Sequence, residues 1–203
     1  MLKIMRVLPL LVLSLFALPA FAATNSPWVA QAETYLQNMK QAQAQFQLIA
    51  PDQTMRTGTF YLKRPGRLRF EYDQTPKDLI VADGTLLHYY DAGTRQTQSA
   101  PIQSTLANFF LRENMKFTKD LNVQGVEEDT EYVHIMLVQK KDPESGNITL
   151  SFSKAPFEFK GWRVSEYNGN VTRVRLRNIK VNPQLPASMF IYKDPGGKGG
   201  VNK

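Results

Sequence analysis

The sequence predicts a mainly β protein of the α+β class: a long antiparallel sheet of about ten strands carrying two helices. Three observations lead there. Short runs that alternate apolar and polar residues recur from Gln45 to Lys180. Turn signals separate them, among them Arg64-Pro65-Gly66, Asp83-Gly84, Ser145-Gly146 and Asn168-Gly169. Two stretches only carry helical spacing. The 203 residues, 42% hydrophobic and 21% charged, suit one globular domain, and neither an internal repeat nor a linker is visible.

The elements follow in order. Residues 1–22 read as a cleaved signal peptide: Lys3 and Arg6, the apolar run Val7–Leu18, Pro19, then the small-x-small site Ala20-Phe21-Ala22. The run is short for a membrane span. Cleavage leaves 181 residues and lowers the net charge from +7 to +5. The expected product is an exported soluble domain over residues 23–194 with a mobile Gly-rich tail over 195–203.

Ser26 is a fitting N-cap and Pro27 a fitting first helical residue. Val29, Ala32, Leu36, Met39 and Ala42 then recur at helical spacing, so a helix is expected over Pro27–Ala42. Strands are expected at Gln45–Ala50, Met55–Lys63, Leu68–Tyr72, Lys77–Ala82, Leu86–Tyr90 and Arg95–Ala100. A second helix over Pro101–Arg112 gathers Ile102, Leu106, Phe109 and Phe110 on one side. Strands resume at Tyr132–Lys140, Asn147–Ser153, Trp162–Tyr167 and Val171–Lys180, and Met189–Tyr192 reads as a last short one.

Successive strand residues face opposite sides. Leu68, Phe70 and Tyr72 therefore oppose Arg67, Arg69 and Glu71, and Val174 and Leu176 oppose Arg173, Arg175 and Arg177. A sheet with one apolar face must cover it, and two helices are scant cover for ten strands. Either the sheet curls onto a filled core or part of the face lines a cavity; the pattern alone fits both.

Several chemistries are not expected. Cysteine is absent, which excludes disulfides, thiolate metal sites, thiol nucleophiles and a lipidated N-terminal cysteine. There is no nucleophile-elbow serine, paired-His zinc motif or phosphate-cradling glycine loop. His88 and His134 read as satisfied wall residues rather than bases, so no enzyme, metal or cofactor is expected. The Arg173/Arg175/Arg177 stripe reads as a solvated face open to an acidic partner or an anionic membrane. It lacks the interleaved aromatics of nucleic-acid binding.

One segment carries a specific likeness. Gly58-Thr59-Phe60-Tyr61-Leu62-Lys63-Arg64-Pro65-Gly66 runs into Arg67-Leu68-Arg69-Phe70-Glu71-Tyr72, then Ile80-Val81-Ala82-Asp83-Gly84 and Leu87-His88-Tyr89-Tyr90-Asp91. This resembles the periplasmic outer-membrane lipoprotein carrier family, LolA, with His88-Tyr89 standing where the family more often shows an aromatic-x-Tyr. The order of elements agrees as far as Phe190-x-Tyr192-x-Asp194-Pro195-Gly196.

The resemblance implies a curved antiparallel half-barrel of ten or eleven strands with helices as a lid over an apolar cavity. It implies a monomeric periplasmic shuttle that takes acylated lipoproteins from an inner-membrane ABC-type transporter to an outer-membrane acceptor lipoprotein or to the membrane itself. By the same likeness Arg64 locks the lid through backbone carbonyls. The cavity wall would be Phe46, Leu48, Phe60, Leu62 and Leu68, with Phe70, Leu79, Val81, Leu150 and Phe152. The lid would present Leu36, Met39, Leu106, Phe109 and Phe110. Alternative readings are a lipid- or lipoprotein-sensing module of the same fold, or a periplasmic hydrolase.

Overall fold

A computed structural model describes residues 26–105 and 107–196. Residues 1–25, which include the expected signal peptide, Leu106 and residues 197–203, where most of the expected mobile tail falls, lie outside the described residues. The fold opens with helix α1 (Pro27–Asn38), followed by six strands: β1 (Gln41–Ile49), β2 (Met55–Lys63), β3 (Arg67–Tyr72), β4 (Leu79–Asp83), β5 (Leu86–Asp91) and β6 (Gln96–Pro101). A 3₁₀ turn (Ile102–Ser104) and two short helices, α2 (Ala107–Leu111) and α3 (Phe117–Asp120), come next. Five strands complete the sheet: β7 (Leu121–Glu128), β8 (Tyr132–Gln139), β9 (Gly146–Lys154), β10 (Phe157–Glu166) and β11 (Val171–Val181). A 3₁₀ turn at Ala187–Phe190 follows.

All eleven strands form one sheet in the order β6-β5-β4-β3-β2-β1-β11-β10-β9-β8-β7. Sequence neighbours pair everywhere except at two junctions. In the middle, β1 pairs with β11. At the rims, β6 and β7 are consecutive in the chain yet form opposite edges. The connection between them, residues 102–120, must therefore cross from one edge of the half-barrel to the other. That crossing segment is where α2 and α3 lie.

Register fixes two faces. Paired residues share a side, so Phe46, Gly58, Tyr72, Phe60, Phe70, Leu62 and Leu68 belong to the inner face. In the second half Phe152, Leu150 and Ile148 align with Val133, Ile135 and Leu137. Nearly all of these are buried in one core, onto which α1 places Val29, Ala32 and Leu36. Gly58 is required by close approach. A Cβ there would lie 2.0 Å from the Glu71 carbonyl oxygen and 2.6 Å from the Phe46 ring. Gly161 sits in a β10 bulge at φ +134, a conformation only glycine adopts without strain.

The structure corrects four expectations. The first helix ends at Asn38 and Ala42 is in β1, because pairing with β2 and β11 captures the chain from Gln41. The Asn182 side-chain oxygen accepts from the Lys40 and Gln41 N–H groups at the start of that strand. The second helix is broken into a 3₁₀ turn and α2. Strand β7, at an edge where Gly125 and two glutamates dilute the alternation, is additional. Finally, Met189–Tyr192 is not a strand: after Pro183 and Pro186 the chain makes a 3₁₀ turn against β3 and β4.

Candidate functional site

The turn between β2 and β3 joins the sheet to both helical segments. Its backbone does part of this: the Arg64 N–H donates to the Lys40 carbonyl (2.9 Å) and the Gly66 N–H to the Leu111 carbonyl (2.8 Å). The Arg64 side chain does the rest. It is only 7% exposed. Nε donates to the Phe110 carbonyl at 2.7 Å, and Nη1 to the Met39 carbonyl at 2.8 Å and to the Leu36 carbonyl. These oxygens lie at the C-terminal ends of α1 and α2, where carbonyls lack intrahelical partners. A rigid fork of five donors suits such a task better than a single ammonium.

The arrangement is held but not deeply stable. No carboxylate faces this guanidinium among the described residues, and Nη2 is buried without a hydrogen-bond partner. Burial alone pulls the Arg64 pKa down to about 10. The group thus stays charged throughout the neutral range, inside a site that disfavours its charge.

Above Arg64 the helical segments meet the inner face. Leu36, Met39, Phe109 and Phe110 are all buried. The Phe110 ring is 4.7 Å from Trp162, and Phe109 is 6.1 Å from Phe117. Tyr35 of α1 meets Phe152 and Phe157 edge-on. The two helical segments also hold each other: the Gln37 side chain donates to the Met115 carbonyl (2.9 Å), and Glu33 accepts from the Phe117 N–H (2.8 Å).

Of the predicted wall, Phe46, Phe60, Leu62, Leu68, Phe70, Leu150 and Phe152 converge in this core, with Leu48 half-buried at its margin. Leu79 and Val81 do not. Their register partners are Glu71 and Arg69, which places both on the outer face; the inward residues of β4 are Ile80 and Ala82. The unbroken apolar run Leu79–Ala82 hides the phase of that strand. Val81 is nonetheless fully buried, outside the main core, at the strand that the Ala187–Phe190 turn covers. Sequence reasoning missed Phe157, Phe159 and Trp162, although Phe157-x-Phe159 was a period-2 signal in plain view.

The inner face carries closely packed rings: Phe60–Phe70 at 4.9 Å, Phe46–Phe70 at 5.0 Å, Phe152–Phe159 at 5.2 Å. A cavity of about 480 Å³ lies at one end, where Phe109 of α2 faces Leu137, Ile148 and Val164 at the ends of β8, β9 and β10. Another of about 500 Å³ lies between the C-terminal segment and the start of β3. His88 belongs to the outer face: it bridges Ser99 Oγ (2.8 Å) and Asp83 Oδ2 (3.2 Å) beneath the stacked ring of Tyr192. Among the described residues, no helix is long and apolar enough to cross a membrane.

The family model described as outer membrane lipoprotein carrier protein LolA matches residues 37–193. The chain belongs to the LolA family. Its relatives include an outer-membrane lipoprotein carrier protein of Legionella pneumophila (strain Paris), 28% identical and aligned over 95% of this chain and 97% of that one. Another, of Chromobacterium violaceum, is 26% identical, with 93% and 94% covered. Among solved structures, a LolA superfamily protein from Nitrosomonas europaea is similar, with a TM-score of 0.44, 12% identity, and coverage of 81% of this chain and 97% of that one. The family match spans every strand from β1 to β11, and with them the Arg64 turn, Met39 and the 102–120 crossing; most of α1 precedes it.

Proposed function

We propose that this protein carries acylated lipoproteins across the periplasm, receiving them from an inner-membrane ABC-type transporter and releasing them to an outer-membrane acceptor lipoprotein or to the membrane itself. The inner face covers the acyl chains once α1 and the 102–120 crossing withdraw. Phe46, Phe60, Leu62, Leu68, Phe70, Leu150 and Phe152 then form the wall, and Leu36, Met39, Phe109 and Phe110 the lid. The observation that carries the reading is Arg64, whose hydrogen bonds to α1 and α2 make lid closure a separable, reversible contact.

The energetics fit such a device. Burying a methylene is worth about 0.8 kcal/mol, so exposing two or three acyl chains costs on the order of 25–40 kcal/mol. The chains must therefore stay covered in transit. The lid must still open. Hydrogen bonds from a charged donor are worth about 1.5–3 kcal/mol each, and an unsatisfied buried donor subtracts about 1–3. An unpaired buried guanidinium subtracts more. The lock is left weak enough for cargo to displace.

Closure of the emptied protein also favours release, because the lid residues reoccupy the inner face as the chains depart. Arg64→Leu removes that incentive. The variant is expected to load lipoprotein from the transporter but to hand it on about tenfold or more slowly, a shift of about 1.4 kcal/mol toward the open, loaded state. A transfer assay with inner and outer membranes and a labelled lipoprotein reads both steps. Unchanged transfer would remove Arg64 from the mechanism.

A further inference from the structure

The outer face of the sheet carries a line of cations that the fold itself does not use. Register puts Arg173, Arg175 and Arg177 on that face of β11, opposite Ile49, Gln47 and Gln45 of β1. After a bulge Lys180 follows on the same side, opposite Gln43, and Arg163 of β10 stands directly across from Arg173. Two residues of strand span about 7 Å, so the three arginines of β11 extend over about 13 Å. Glu71 on β3 and Glu158 on β10, both outward, have cations of their own: Glu71 accepts from Arg69 and Glu158 from Lys160. Among the described residues, the side chains of Arg163, Arg173, Arg175, Arg177 and Lys180 make no hydrogen bond or ion pair.

Such a line is unfavourable in the isolated chain. Arg163 and Arg173 are like charges directly opposite each other, an arrangement that destabilises a sheet. Arg163 Nε is also buried without a hydrogen-bond partner. An anionic surface laid on the line relieves the repulsion, and the position of the line narrows what that surface is. β1 and β11 lie in the middle of the eleven strands, and the outside of a half-barrel is convex. A convex face offers no groove for a peptide, and both ladder sides of β11 are taken by β1 and β10, so no strand can be added there. A plane, by contrast, touches a convex face along its middle strands. The row Arg163–Arg173–Ile49–Met55, at one end of the line, adds apolar surface to the charge, with Met55 59% exposed. Cations beside exposed apolar side chains suit the interface of an anionic bilayer.

We propose that the outer face of β11 is a docking surface for a membrane containing anionic phospholipid, with Arg163, Arg173, Arg175, Arg177 and Lys180 over the headgroups. The proposal goes beyond the carrier reading and does not depend on it. Docked this way, the protein turns its inner face, Arg64 and the helical segments away from the bilayer, so the contacts of the lid stay free to open. Attachment is electrostatic and reversible: each cation near an anionic surface adds about fivefold to the affinity, and salt screens it.

The test uses the full-length mature protein and a flotation assay with two kinds of vesicle: phosphatidylcholine alone, and phosphatidylcholine with about one third phosphatidylglycerol. The wild type is expected to bind the anionic vesicles about tenfold or more tightly than the neutral ones at about 0.05 M salt, and to lose that preference at about 0.5 M. Arg175→Gln and Arg177→Gln, both at exposed positions, are each expected to lose about fivefold for the anionic vesicles and to leave binding to the neutral ones unchanged. Lys77→Gln removes the same charge at an exposed position outside the line and is expected to change binding by less than about twofold. Neither arginine variant is expected to lower the melting temperature, since neither side chain has a partner to lose; a drop in both would show the arginines serving the fold and would overturn the proposal. Equal affinity of the wild type for the two vesicles, binding to neither, or equal losses from Lys77→Gln and the arginine variants would overturn it as well. Arginine-dependent binding to polyglutamate without binding to the anionic vesicles would also overturn it, and would assign the face to an acidic protein instead.

Discussion

Arg64 shows how a residue's meaning depends on what is folded around it. In the sequence it is an arginine beside a turn proline, and nothing local distinguishes it from Arg67 or Arg69. Its burial follows from the meeting of two helix ends that the chain brings together from 25 to 46 residues away. Only the family likeness pointed to it in advance. Its charge also has a definite pH consequence. The folded pKa of about 10 lies below the ordinary value of 12.5. The unfolded chain therefore holds this proton more tightly, and charge burial opposes folding by the same amount at every pH below about 10, easing only above it. The stability difference between wild type and Arg64→Leu is accordingly expected to be constant from pH 6 to about 8.5 in thermal melts. Arg64→Lys behaves differently: a buried lysine readily loses its proton toward neutral pH. Its transfer rate is expected to fall between wild type and Arg64→Leu and to become pH-dependent where the wild type is flat. A flat Lys profile would place position 64 in contact with water.

At the level of elements, period-2 alternation was legible wherever one face meets the core and the other meets water. β3 and β9 are the clear cases, since Leu68-x-Phe70-x-Tyr72 and Ile148-x-Leu150-x-Phe152 point inward as read. The alternation failed where both faces are covered, as in β4, and at the β7 edge, where neither face is strongly apolar. Helix ends were illegible for a related reason: Met39 and Ala42 satisfy the helical pattern and the strand pattern together, and inter-strand pairing decides between them. The Phe46–Gly58 cross-strand pair gives an element-level prediction. A methyl group at residue 58 meets the Glu71 backbone and the Phe46 ring, neither of which can retreat cheaply. Gly58→Ala is expected to cost about 1–3 kcal/mol, which lowers the melting temperature by roughly 3–10 °C for a domain of this size. An unchanged melting temperature would mean that β2 and β3 do not approach as described.

Trp162 offers a view of the lid from the sheet side. Its ring is 4.7 Å from Phe110 and 6.1 Å from Phe159, and the only other tryptophan, Trp28, stacks on Phe157. In a Trp28→Phe background, lipopeptide binding is expected to change the emission of Trp162, because Phe110 leaves the ring and an acyl chain replaces it. Emission that is insensitive to a saturating lipopeptide would argue that α2 stays in place on loading.

For the molecule as a whole, topology carries the argument. Eleven antiparallel strands could close into a barrel if β6 paired with β7; the crossing segment that joins them lies over the inner face instead. A half-barrel completed by helices has an interior that can be vacated without breaking a strand ladder, which a closed barrel does not. The apolar sheet face and the scarcity of helices to cover it were both legible in the sequence, and a cavity was one of two solutions they allowed. The structure packs that face with rings of the sheet itself, and Tyr35 of α1 and Phe110 of α2 meet them. Carrier function then requires an exchange of one apolar filling for another. The most direct measurement loads the protein with a lipopeptide whose acyl chains bear photoactivatable groups and maps the adducts after irradiation. The expected adducts lie on the inner face, at Phe60, Phe70, Phe152 and Trp162; adducts confined to the outer face, around Val81 and Tyr192, would contradict the proposed path of the chains.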